Sequence, residues 1–347
     1  MFFICNNALV MKRRNFKQKK FIIFVCLGML AAFSVAFYTV GIKSSLKKDI
    51  VLSVPRGASV SHVAGQLSAA GAIDSAALFK MCVRAAGGRV QSGEYEIPRG
   101  ASVWRIVRML STGDVAATTI VIPEGFTVKQ IKQLLLQAPG LTGPVECDGK
   151  STAAVCNLRD GDIFPDTYRV ARGTARLALL DLAHKKMESI HDAWIRAGRI
   201  MPSPLSSWND VITLASIVQK ETPRASEMPV VASVYINRLR KNMRLQADPT
   251  VVYALTDGLG DMRGAALLRG HLKIDSPYNT YIHNGLPPAP IANVGQAAIR
   301  AVLKPADTNY LFFVADGRGG HHFSQTYEQH LQHHADWRAI KKSRGIN

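Results

Sequence analysis

The chain has 347 residues, room for about two domains beyond any targeting segment, and its 47% hydrophobic and 20% charged residues are ordinary for a globular protein. Its formal net charge is +18, but residues 1–48 hold nine lysines and arginines and no acid, which leaves +9 on the remainder. No basic stretch is interleaved with aromatic residues, so nucleic acid is excluded as a partner; a moderately basic surface suits an anionic wall polymer or lipid headgroups instead.

Residues 1–20 form a basic segment ending in Lys17, Lys19 and Lys20, and residues 21–42 contain no charge. An uncharged stretch of that length predicts a single transmembrane helix. The excess of positive charge ahead of it predicts a cytoplasmic N-terminus, so the expected location is the inner membrane, single-pass, with the rest of the chain in the periplasm. A cleaved signal peptide ending near Ser34-Val35-Ala36 is the alternative, although a cleavable apolar core is shorter. Among the five cysteines, Cys82, Cys147 and Cys156 follow the span. One disulfide can form among them, and Cys147–Cys156 would close a small polar loop; a fold this large does not require one, so the pairing stays open.

Three stretches then share one pattern. Val54-Pro55-Arg56-Gly57-Ala58-Ser59, Ile97-Pro98-Arg99-Gly100-Ala101-Ser102 and Ile122-Pro123-Glu124-Gly125-Phe126-Thr127 each end a β-run in Pro-x-Gly and offer Ser or Thr as an N-cap. An apolar helical period follows each of them, which predicts a repeated strand, turn and helix. The first two units resemble the start of a LysM module, a family that binds N-acetylglucosamine polymers. A LysM-like β-α domain is therefore expected over 49–118. Its role is glycan binding or, equally, that of a spacer.

Further along, Leu214-Ala215-Ser216-Ile217-Val218-Gln219-Lys220-Glu221-Thr222 puts an acid in an oily place. On a helix Glu221 shares a face with Val218, Ile217 and Leu214, while Gln219 and Lys220 point to the polar side. Burial raises a carboxyl's pKa, and a carboxyl protonated at neutral pH is what protonation of a glycosidic oxygen requires. Pro223 should end the helix near Thr222 and leave the carboxyl at the rim of a cleft. The competing reading is a structural glutamate held by an arginine or a helix end.

Residues 230–239 read as an amphipathic helix with Val231, Val234, Tyr235 and Leu239 on one side. Leu245-Gln246-Ala247-Asp248-Pro249 reads as a loop entering another helix, with Asp248 as N-cap and Pro249 at the first helical position. Ser276-Pro277-Tyr278-Asn279-Thr280-Tyr281 and Gly285-Leu286-Pro287-Pro288-Ala289-Pro290-Ile291-Ala292-Asn293 are stiff loops whose aromatic and amide groups match a sugar. No spacing of metal ligands occurs; His330, His333 and His334 read as a solvated helix face, and neither metal nor cofactor is expected.

Taken in order, these segments resemble the endolytic murein transglycosylase (YceG-like) family. Phe164-Pro165-Asp166-Thr167-Tyr168 upstream, and Phe312-Phe313-Val314-Ala315-Asp316-Gly317 through Gly320-His321 and Phe323 downstream, belong to the same likeness. The resemblance covers residue 50 to the C-terminus. It implies an enzyme that cuts inside the glycan strands of peptidoglycan, with its catalytic acid at Glu221 and with peptidoglycan synthases as candidate partners. Asn237, Gln246, Asp248, Tyr278, Asn279 and His321 are the residues expected to position glycan. Three departures affect the subsites: Gln219 stands where the family has a second glutamate, Ala247 where it has a hydroxyl, and Arg159-Asp160-Gly161 where it is more apolar.

The expected architecture is therefore α+β: a transmembrane helix, the LysM-like part, and a mixed α+β catalytic domain over 119–347. The reaction implied is lytic, the muramoyl C6 hydroxyl displacing the glycosidic oxygen to leave a 1,6-anhydro end. A true muramidase and a non-catalytic wall-binding scaffold are the alternatives.

Overall fold

The computed structural model describes residues 27–31, 34, 35, 38 and 46–343, apart from 149–152, 199, 261 and 263. Most of the stretch expected to be a membrane anchor, 21–42, lies outside the described residues. Among the described residues no helix is long and apolar enough to cross a membrane. The single-pass anchor and the inner-membrane placement built upon it are therefore withdrawn. That expectation came from the length of an uncharged stretch and the basic residues flanking it, which are properties of composition and do not by themselves fix a continuous helix.

The described chain separates into two compact units, one reaching Ala117 and including Ala171–Gly173, the other formed by Thr118–Val170 and the remainder. In the first, β1 (Ile50–Val54) pairs antiparallel with β2 (Gly93–Ile97), with Leu52 opposite Tyr95. Three helices cover this ribbon: α1 (Val60–Ala69), α2 (Ala76–Ala85) and α3 (Val103–Thr112). Alternation along the strands turns Leu52, Val54, Tyr95 and Ile97 inward onto Leu67, Phe79, Ile106 and Leu110, all buried. The LysM-like module expected over 49–118 is not delineated as such. All three helices and the ribbon share one core, and the likeness rested on a turn and helix start that many folds use.

The punctuation of the repeats holds at atomic detail. Ser59, Ser102 and Thr127 each accept a hydrogen bond from the backbone N–H three residues on, of His62, Arg105 and Gln130. Gly57, Gly100 and Gly125 take φ between 76° and 78°, a left-handed turn conformation that residues with a Cβ adopt at a cost.

The second unit begins at Thr118, within β3 (Ala117–Val121), which pairs with β5 (Thr167–Ala171). Between them lie α4 (Val128–Gln137) and the short β4 (Leu141–Thr142), which pairs in parallel with β6 (Thr174–Ala175). Cys147 and Cys156 are joined by a disulfide, so the pairing left open by the sequence is made; Cys82 is free and buried. Helix α5 (Arg176–Arg196) then packs Leu179, Leu180 and Ala183 on Ile131, Leu135 and Ile163.

The larger core of this unit is helical. It is centred on α6 (Trp208–Glu221), in which every residue from Val211 to Val218 is buried. Ser207 starts α6 with a capping box closed by Asp210. Around α6 stand α7 (Met228–Arg240), α8 (Asp248–Leu255) and α9 (Gln296–Leu303). A hairpin of β7 (Phe312–Ala315) and β8 (His321–Ser324) follows, and α10 (Tyr327–Ser343) packs on it. The histidines of α10 are not a solvated face. His330 stacks on Phe312 with ring centroids 5.2 Å apart, and His333 Nδ1 lies 3.0 Å from the Ser324 hydroxyl.

Candidate active site

Glu221 is the last residue of α6, and Thr222 leaves the helix with φ −139° just ahead of Pro223. Leu214, Ile217 and Val218, its neighbours on the same face, are completely buried, while Glu221 keeps part of its surface open. The protein around the carboxyl is nevertheless dense. Burial drives its pKa up to about 7, against a lowering hydrogen bond from Tyr235; the charge of Asp248 raises it further and that of Arg238 lowers it. A helix C-terminus, with its unsatisfied carbonyls, also disfavours an anion there.

Tyr235, from the middle of α7, donates its hydroxyl to Glu221 Oε1 at 2.8 Å. It is buried, and desolvation together with the charge of Glu221 holds its phenol well above the ordinary value, so it remains a donor. With Oε1 engaged, Oε2 is the oxygen left to carry a proton. One turn further along α7, Arg238 is buried and donates to the carbonyls of Leu311 and Leu245, both at 2.6 Å. That arginine ties the start of the hairpin and the loop before α8 to the helix carrying Tyr235.

Asp248 is the first residue of α8 and is exposed; its carboxyl accepts from the Tyr281 hydroxyl rather than from the backbone of its own helix. The expected N-cap role is corrected: the cap position is Ala247, whose N–H goes to Thr280 Oγ1 at 3.0 Å. Gln246, with φ 50°, donates its backbone N–H to the Thr280 carbonyl at 3.1 Å. Its side chain is left exposed, two residues before Asp248.

The remaining expected contacts are divided by the structure. Asn237 gives its amide hydrogens to the carbonyls of Thr308 (2.7 Å) and Tyr310 (3.1 Å). Asn279 is fully buried, donating to the Leu272 and Ile274 carbonyls and accepting from the Tyr281 N–H at 2.9 Å. Both amides are thus committed to the backbone, and Asn279 sets the loop that carries Tyr281. Tyr278 lies half-buried against Tyr253, with ring centroids 4.9 Å apart, rather than against the Glu221–Tyr235 pair. His321 Nδ1 meets Glu227 Oε2 at 2.8 Å. Phe313 stands edge-on to both the His321 ring (5.2 Å) and the Tyr235 ring (5.8 Å), so His321 bears on the site through packing.

Gln219 and Lys220 do not simply face solvent. Gln219 Oε1 accepts from the N–H of Gly295, the N-cap of α9, at 3.1 Å, and Lys220 reaches the carbonyls of Gly125 and Gly260 at 3.4 Å. The glutamine at a position where a glutamate was expected therefore closes a helix start.

The chain as a whole is similar to known proteins. The profile of the YceG-like family matches residues 52–336. The chain belongs to the YceG-like family. An endolytic murein transglycosylase of Bacillus subtilis (strain 168) is 30% identical over 312 residues, which cover 83% of this chain and 85% of that protein. An endolytic murein transglycosylase of Streptococcus pneumoniae (strain R6) is 24% identical, over 83% of this chain and 58% of its own length. A solved structure, that of a YceG-like protein from Listeria monocytogenes, is similar at 29% identity, covering 82% of this chain and 99% of the other with a TM-score of 0.48.

Tyr235, Arg238 and Tyr281 were not among the site residues expected from the sequence of this YceG-like chain. Tyr235 was read as one member of an apolar stripe. Its hydroxyl was the available signal, because a buried phenol needs a partner.

Proposed function

We propose that this chain is an endolytic lytic transglycosylase that cuts the β-1,4 bond between N-acetylmuramic acid and N-acetylglucosamine within peptidoglycan strands. The observation that carries the proposal is the Glu221 carboxyl: raised to about 7 by burial and oriented by Tyr235, it can both give and take a proton at neutral pH. The names of the Bacillus and Streptococcus relatives support the substrate and the reaction class.

Glu221 gives its proton to the glycosidic oxygen as the bond from the muramoyl C1 to that oxygen breaks. The glucosamine leaves with a free 4-hydroxyl. The carboxylate then takes the proton of the muramoyl C6 hydroxyl while that oxygen bonds to C1. The product is a 1,6-anhydromuramoyl end, and Glu221 is protonated again. One carboxyl suffices because the substrate supplies the nucleophile; a hydrolase needs a second carboxyl or a directed water.

Mass spectrometry of strands digested by the purified chain tests this reading. Anhydro ends that disappear in Glu221→Gln are expected. Hydrated reducing ends would indicate a muramidase, and binding of strands without any released product would indicate a scaffold.

A further inference from the structure

A second glutamate has no part in the chemistry above. Glu227 is the N-cap of α7, and its Oε2 meets His321 Nδ1 at 2.8 Å. Both side chains are largely withdrawn from water, with 18% and 15% of their surface exposed. Their surroundings are closely built. Arg224 Nη1 lies 3.5 Å from Glu227 Oε1, and Arg224 Nη2 donates to the Arg318 carbonyl at 2.5 Å. Asp316 Oδ1 accepts from the N–H groups of Arg318 and Gly320, which fixes the hairpin turn just ahead of His321. The Glu227 carboxyl is seated against Gly320, where a Cβ would lie 2.4 Å from Oε1.

This pair reaches the Glu221 carboxyl by two separate routes. Along the chain, Thr222 follows Glu221 directly and is buried. Its hydroxyl accepts from the Arg224 N–H at 3.1 Å and lies 3.5 Å from Glu227 Oε2. Across the core, the His321 ring stands edge-on to Phe313 at 87°, and Phe313 stands edge-on to Tyr235 at 89°. Tyr235 in turn donates to Glu221. The contacts close a circuit through Glu221, Thr222, Glu227, His321, Phe313 and Tyr235. Edge-on rings have a preferred geometry and sit in a dense core, so a shift at His321 is passed to Tyr235. A largely buried ion pair adds little stability over apolar residues of the same volume, so stability does not account for this one. What it does supply is orientation, because a carboxylate on Nδ1 fixes how the imidazole lies.

Resting on the function proposed above, we infer that Glu227 and His321 are positioning residues for the general acid. Through Phe313 they hold Tyr235, and through Thr222 they hold the end of α6, so that the Glu221 carboxyl stays aimed for proton transfer. Digestion of isolated peptidoglycan strands by the full chain tests this role. Glu227→Gln, His321→Gln and Phe313→Leu should each lower kcat about fivefold with KM unchanged, because the carboxyl is less well aimed and binding is untouched. Each should also move the alkaline limb of the pH–rate profile to higher pH, since a loosened Tyr235 lowers the Glu221 pKa less. The double variant His321→Gln/Tyr235→Phe should be no slower than Tyr235→Phe alone, the mark of residues that act through one another. A merely structural pair would lower Tm and leave the limb in place. An unmoved limb, losses that multiply in the double variant, or a raised KM with kcat intact would overturn the positioning role while leaving the transglycosylase reading intact. Phe313→Leu leaves the ion pair whole and decides the matter where the polar variants fail to fold. A wild-type chain that releases no product would instead overturn that reading, and this inference with it.

Discussion

Tyr235 donates its hydroxyl to Glu221 across 2.8 Å, although the two stand on different helices fourteen residues apart. The bond opposes the burial that raises the glutamate. Two effects of opposite sign therefore set one pKa, and each can be removed separately.

Tyr235→Phe removes the donor that favours the anion, so the pKa of Glu221 should rise above about 7. A general acid works in its protonated form. The alkaline limb of the pH–rate profile should accordingly move to higher pH, with a loss of about tenfold in kcat from poorer orientation of the carboxyl. A limb that stays in place or moves to lower pH would refute the coupling.

Asp248→Asn should do the reverse. The Asp248 charge raises the pKa of Glu221, and its removal should move the alkaline limb to lower pH. Activity should persist below that limb. If Asp248→Asn abolished turnover at every pH while Glu221→Gln retained it, the acid would be Asp248 and the assignment of Glu221 would fail.

Glu221 should also cost stability. Its folded pKa of about 7 lies above the ordinary glutamate value of 4.5, so the unfolded chain releases the proton first as pH rises. The folded state is undisturbed by this group below about pH 4.5 and loses stability between there and about pH 7. Glu221→Gln should therefore unfold at higher urea concentration than wild type at about pH 8, by roughly 3 kcal/mol at most, and at nearly the same concentration at about pH 4. Equal midpoints under the alkaline condition would show that the carboxyl is not desolvated.

Asn279→Ala tests the scaffold role of that amide. Two carbonyls and the Tyr281 N–H lose their partner, which should cost about 2–3 kcal/mol in stability. Thermal unfolding should show a clear fall in Tm. A large rise in KM with an unchanged Tm would make Asn279 a glycan contact instead.

Features set by neighbours in sequence were legible in the sequence. The caps at Ser59, Ser102 and Thr127 reach only three residues ahead, and the turns at Gly57, Gly100 and Gly125 follow from a local backbone requirement. Glu221 stood out for the same reason: its stripe of Leu214, Ile217 and Val218 is written into one helix, and Pro223 marks its end. Expectations that relied on composition or on a short likeness fared worse, as the anchor over 21–42 and the LysM-like module over 49–118 show.

Partners of polar atoms were decided by tertiary structure alone. Asn237 and Asn279 carry the same amide that a glycan contact would, and only packing turned those groups onto the backbone carbonyls of residues 308, 310, 272 and 274. Tyr235 looked like any other large residue on its helix until α7 folded back along α6 and set its hydroxyl against the carboxyl. Helix and turn signals act over three or four residues and survive in a one-dimensional pattern. A hydrogen bond between side chains depends on how two helices pack, and that arrangement is a property of the whole core.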